Sequence, residues 1–100
     1  MILVILTRED STVIAGGYHS KMLVIGHATY RPDDVEGLKV CAAVSTICMT
    51  LSALLPEEVP TLLGGRFEWV GEESPFIDFA LKSFELLAEN YSDHLSLTIR

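Results

Sequence analysis

The chain opens on an unbroken apolar run, Ile2-Leu3-Val4-Ile5-Leu6, rich in β-branched residues. Its lack of alternation predicts a strand buried on both faces. Arg8-Glu9-Asp10-Ser11 is polar and turn-like. Thr12 to Ala15 and Met22 to Ile25 read as extended, interrupted by Gly16-Gly17. They are taken as a second strand with a bulge or kink, paired to the first as a hairpin; a tighter turn at the two glycines is the other reading. Gly26 to Lys39 contains Pro32, Gly37, Asp33, Asp34 and Glu36, and predicts a long loop. Compact domains usually keep loops of that length for function.

From Val40 to Leu55 the period becomes helical, with Val40, Val44, Ile47, Leu51 and Leu54 at threes and fours, until Pro56 and Pro60. Arg66 to Val70 alternates as a strand, opened by Gly64-Gly65, and Val59 to Leu63 pairs with it as a short hairpin. Ser74-Pro75 starts a second helix, a hydroxyl cap followed by proline at the first helical position. Phe76, Ala80, Phe84, Leu87 and Tyr91 mark one face of it. Phe76, Phe79 and Phe84 are assigned to the core, as is Trp69 with its indole N–H near the surface. Leu95, Leu97 and Ile99 alternate with Ser96 and Thr98 in a closing strand. The order predicts a single α+β domain over residues 1–100, two-layered, with two helices packed on one face of a mixed β-sheet.

Composition narrows the partners. Among 100 residues, 14 acidic and 7 basic side chains leave a formal net charge of −7. A phosphate backbone is repelled by that balance and a basic polypeptide attracted, so the expected partner is a basic precursor protein and not nucleic acid. So short a chain buries a modest share of its surface, which favours a homodimer. The first residues lack a basic region and a cleavage site, and no apolar run reaches the ~20 residues of a membrane span. Cys41 and Cys48 lie two turns apart on the predicted helix, about 10 Å, beyond disulfide reach. Together these predict a reduced, cytoplasmic protein without membrane association.

Candidate chemistry gathers around one segment. His27 follows Gly26 at a strand end, and Cys41 falls in the first turn of the predicted helix. The positive helix end stabilises a thiolate there, and a neighbouring imidazole takes the proton. Free N–H groups of Ala42 and Ala43 at the same end suit an oxyanion. Spacing alone favours a plainer account, in which Cys41 is a small core residue and His27 a surface group. Ser45, one turn after Cys41, either packs or hydrogen-bonds in the site. Asp33, Asp34 and Glu36 cap the helix, or one of the three orients His27. Cys48 has the stronger core reading. His19 and His94 acquire no partner from sequence, and a zinc site from His19, His27, Cys41 and Cys48 fits no compact ligand spacing. Neither metal nor cofactor is called for.

Gly26-His27-Ala28, followed by Val40-Cys41-Ala42-Ala43-Val44-Ser45, resembles the ribosomal-processing cysteine protease (Prp) family. So do Gly64-Gly65-Arg66-Phe67-Glu68-Trp69 and the closing helix and strand. The resemblance implies a catalytic dyad of His27 and Cys41, a dimer, and a flexible loop, here including Ala28, Thr29 and Tyr30, that closes over an extended peptide. It further implies removal of an N-terminal extension from a ribosomal large-subunit protein, or, in phage-encoded relatives, processing of a capsid-related protein. Leu38 stands where the family usually carries an aspartate three residues before the cysteine. The His–Cys loop is longer than usual, and Gly16-Gly17 lengthens the first hairpin. A divergent or phage-borne member fits these departures. A catalytically idle module that grips a peptide or assists assembly is the alternative.

Overall fold

The computed structural model describes residues 1–9, 19–55, 61–63 and 65–100. The strands form where every second side chain is apolar and faces the helices. Strand β1 (Ile2–Glu9) turns Ile2, Val4 and Leu6 inward, and β2 (His19–Ile25) turns Met22 and Val24 inward. β1 and β2 pair antiparallel, with Val4 opposite Val24 and Leu6 opposite Met22. The expected hairpin pairing is therefore present, although Thr12 to Ala15 and the two glycines lie outside the described residues.

Helix α1 (Val35–Leu54) follows, then β3 (Thr61–Leu63), β4 (Arg66–Gly71), α2 (Pro75–Asn90) and β5 (Leu95–Ile99). The sheet runs β3-β4-β2-β1-β5, antiparallel except for the parallel pair β1–β5. Both helices cover one face, as the α+β, two-layer, mixed-sheet expectation required. The short hairpin before Arg66 is present as β3 on β4, with Leu63 opposite Arg66.

Several expectations need correction. The run from Ile2 to Leu6 is buried on one face only, since Leu3 is 38% exposed. Among the described residues no helix covers that face, where Leu3 lies across from Ile25 and Ile5 from Leu23, so apolar neighbours shield one another. Helix α1 begins five residues before the predicted start, at Val35. The Asp34 carboxylate accepts the Gly37 N–H at 3.0 Å and caps it. Gly37 suggested a loop, but it lies buried inside the first turns. A Cβ there would come within 2.6 Å of the Thr29 side chain and of the Asp34 carboxylate, so the glycine serves close packing.

Val40, Val44, Cys48 and Leu51 make the buried stripe of α1. Beyond Lys39 its outer face, with Ala42, Ser45, Thr46, Met49, Thr50 and Ala53, carries no charge. By length and composition these 20 residues would also suit a membrane span, so apolar length alone was a poorer guide than expected. The helix instead packs as a core element of a globular domain.

In α2, Ile77, Ala80, Leu81 and Phe84 face the sheet. Phe76 and Phe79 do not join them. They are 45% and 74% exposed, at a groove shared with Thr50 and Leu54 of α1. Ser74 does precede the helix, but its hydroxyl makes no capping bond and is buried without a partner among the described residues. Pro75 and the Asp78 N–H to Ser74 carbonyl bond set the start. Trp69 is buried in full, indole edge included. Ser20, also buried, donates its hydroxyl to Glu73, which pairs with Arg8 and so ties the start of α2 to the sheet.

Candidate active site

Strand β2 ends at Gly26, whose φ of +96° turns the chain. The Gly26 N–H donates to the Gly65 carbonyl at 2.9 Å, bringing the turn before β4 against the turn after β2. His27 follows, exposed, its ring 5.2 Å from that of Tyr30. Helix α1 brings Cys41 and Ser45 to the same place. His27, Cys41, Ser45, Gly65 and Arg66 surround the opening of one cavity of about 100 Å³. Its inner wall is apolar: Ile2, Val24, Val44, Cys48 and Phe67, all buried.

The structure thus gathers the two residues singled out for catalysis and changes how they are supported. Cys41 is the seventh residue of α1 and not in its first turn. The N–H groups of Ala42 and Ala43 are consequently spent inside the helix, on carbonyls four residues back, and do not form an oxyanion site. The dipole at the helix start is likewise more than one turn away. A different donor has taken their place. The backbone N–H of Ala28 points at the Cys41 sulfur, 3.3 Å away. That contact fixes the sulfur against the turn after β2.

The loop acids divide. Asp34 caps α1, and its second oxygen lies 3.0 Å from His94 Nε2. With both oxygens engaged, it does not orient His27. Asp33 pairs with Arg31 at the surface, and Glu36 is exposed in the first turn of α1. Of the predicted substrate loop, Ala28 is buried and Thr29 packs against Gly37, its hydroxyl accepting the Arg31 N–H. Tyr30 alone is free to meet a peptide, at 84% exposed. The loop is therefore shorter and better anchored than its composition suggested.

His94 is the residue whose part the sequence did not disclose. Its N–H donates to the Tyr91 carbonyl, its carbonyl accepts the Ile2 N–H, and its ring holds the cap of α1. It joins β1, β5 and the helix that carries Cys41. Sequence offered no signal, because its partner is a distant loop acid. His19 lies at the start of β2. Among the described residues no cluster of three metal-binding side chains occurs.

Two titrations stand out. The Gly37 N–H and then His94 hold the Asp34 carboxyl well below the usual carboxylate range, at about 2 against 3.8. A depressed folded value stabilises the fold above the unfolded value, and that stabilisation is lost as pH falls through the folded one. Acid unfolding should therefore steepen between these two values. Asp34→Asn, still able to cap, should flatten that limb; urea melts across the window will show it, and an unchanged limb would contradict the pairing. Burial pushes the Cys48 thiol up to about 12, so it stays neutral and inert.

Fold and site define a small two-layer α+β protein with a cysteine–histidine cavity between sheet and first helix. No family model and no curated protein matches the chain. A similar solved structure is the crystal structure of SMU.848 from Streptococcus mutans, with 22% identity over 99% of this chain and 96% of that one, at a TM-score of 0.66. At that identity the likeness is one of fold.

Proposed function

We propose that this chain is a cysteine endopeptidase acting by acyl transfer, with Cys41 as nucleophile and His27 as its base. The observation that carries the reading is the meeting of both side chains on one cavity, with the Ala28 N–H aimed at the Cys41 sulfur. His27 takes the thiol proton, and the sulfur attacks the scissile carbonyl carbon. As the C–N bond breaks, the imidazolium returns the proton to the leaving amine. Water, deprotonated by His27, then cleaves the thioester and restores the thiol. The Ser45 hydroxyl at the cavity opening is the side-chain donor for the oxyanion. Tyr30 offers an exposed aromatic surface beside His27 for the bound peptide.

Resemblance to the Prp family and the net charge of −7 support a basic cytoplasmic precursor, a ribosomal large-subunit or phage capsid-related protein that loses an N-terminal extension. The uncharged outer face of α1 supports a homodimer, since two acidic copies meet there without opposing like charges. A module that binds a peptide without cutting it is the second reading, favoured by the commitment of the Ala42 and Ala43 amides to the helix.

Iodoacetamide decides between them. Near neutral pH, Cys41 should alkylate faster than glutathione, and His27→Ala should slow it about tenfold or more. Cys48, held neutral, contributes no signal. Alkylation no faster than glutathione and indifferent to His27→Ala would sink the protease reading and leave the binding module.

A further inference from the structure

The two reacting residues ride on separate carriers, His27 on the turn after β2 and Cys41 on α1. Asp34 joins those carriers. Its Oδ1 accepts the Gly37 N–H at 3.0 Å, one turn before Cys41. The Thr29 hydroxyl, two residues after His27, donates to the same carboxyl. The Thr29 side chain also leaves no room for a Cβ on Gly37, so loop and helix are in contact there. Oδ2 lies 3.0 Å from His94 Nε2. A cap needs one oxygen, so the bonds to His94 and Thr29 go beyond capping.

His94 anchors that junction to the sheet. A carboxylate only accepts, so Nε2 carries the proton. Nδ1 is buried without a partner among the described residues, and the ring's polar contact there is with Asp34. The His94 N–H donates to the Tyr91 carbonyl at 2.9 Å, and its carbonyl accepts the Ile2 N–H at 2.8 Å. Beside Ile2, the Met1 carbonyl would lie 2.5 Å from a Cβ on Gly26, so the start of β1 packs on the residue before His27. A circuit closes: from Cys41 along α1 to Asp34, across to His94, Ile2 and Met1, and through Gly26 to His27. We propose that Asp34 and His94 are positioning residues for the Cys41–His27 pair. They hold the loop bearing the base in register with the helix bearing the nucleophile, and touch neither reacting group. The proposal rests on the protease reading and adds two residues to its machinery. A displacement of about 1 Å set off far from the chemistry costs up to about a hundredfold in rate.

The test is the rate at which the Cys41 sulfur displaces iodide from iodoacetamide near neutral pH, with urea melts to confirm that each variant is folded. His94→Leu removes the donor to Asp34 and should slow alkylation about fivefold or more. His94→Gln restores an N–H near the place of Nε2 and should recover most of the wild-type rate. In a His27→Ala background, His94→Leu should change nothing further, because the ring whose placement it disturbs is gone. A merely structural histidine would lower stability in both backgrounds and leave the rate of the folded protein alone. Thr29→Val keeps the side chain's shape and removes the loop's bond to Asp34. It should give a smaller loss with the same dependence on His27, and it carries the test if His94→Leu does not fold. Unchanged rates in these variants, or equal losses with and without His27, would overturn the assignment. A wild type that reacts no faster than glutathione and ignores His27→Ala fails at the protease reading itself, and the positioning role falls with it.

Discussion

If Cys41 and His27 act as proposed, Gly65→Ala should lower peptide cleavage a hundredfold or so while leaving the domain folded, the loss expected when a catalytic base is misplaced. Gly65 has a φ of +73°, and a Cβ built on it would lie 2.7 Å from His27 Nε2. One of the two must give way. The backbone at Gly65 is held by the bond from Gly26, whereas the imidazole is the free end of an exposed side chain. The ring therefore moves, and with it the base. The left-handed conformation adds about 1–2 kcal/mol of strain for alanine, which a folded domain survives. The decisive readout is a double-mutant cycle on Cys41 alkylation. In a His27→Ala background, Gly65→Ala should change nothing further, because the ring it displaces is gone. Additive losses would place the effect elsewhere.

Phe84→Ala should have the largest effect on stability. Phe84 is fully buried on the sheet-facing side of α2. Truncating such a ring costs about 3–5 kcal/mol, against a total of about 5–15 kcal/mol for a typical domain. In a chain this small the melting temperature should fall by about 15 °C or more. Phe79→Ala, on the same helix but largely exposed, should change stability by no more than about 0.5 kcal/mol. Urea titrations of both variants check the rotation of α2; equal losses would contradict it.

The closing strand at Leu95–Ile99 and the second helix at Ser74-Pro75 were legible because alternation and a cap–proline pair are local signals. The start of α1 was not. Its first turns hold Glu36, Gly37 and Lys39, so apolar periodicity begins only at Val40, and the glycine suggested a break where it serves contact with Thr29. That displacement carried the assignment of Ala42 and Ala43 as oxyanion donors with it. Phe76 and Phe79 misled for another reason: aromatic residues invite a core assignment, but the stripe of α2 is defined by Ile77, Ala80, Leu81 and Phe84. Cys41 and His27 were found by residue type and resemblance. The Ala28 amide that points at the sulfur has no side-chain signature at all. The bond between Asp34 and His94 links two segments whose nearness only the parallel pairing of β5 with β1 creates.

That pairing also dictates an order of events. β1 and β5 are the first and last of the described elements, and contacts between such distant segments form only after much chain entropy has been lost, which slows folding. During synthesis β1, β2 and α1 emerge early, so the thiol and the imidazole exist before their frame does. His94, just ahead of β5, arrives later and supplies both the acceptor for Ile2 and the clamp on the α1 cap. The lining of the cavity at Cys41 runs no further than Phe67, so β5 adds none of its wall and secures only Ile2 and the start of α1.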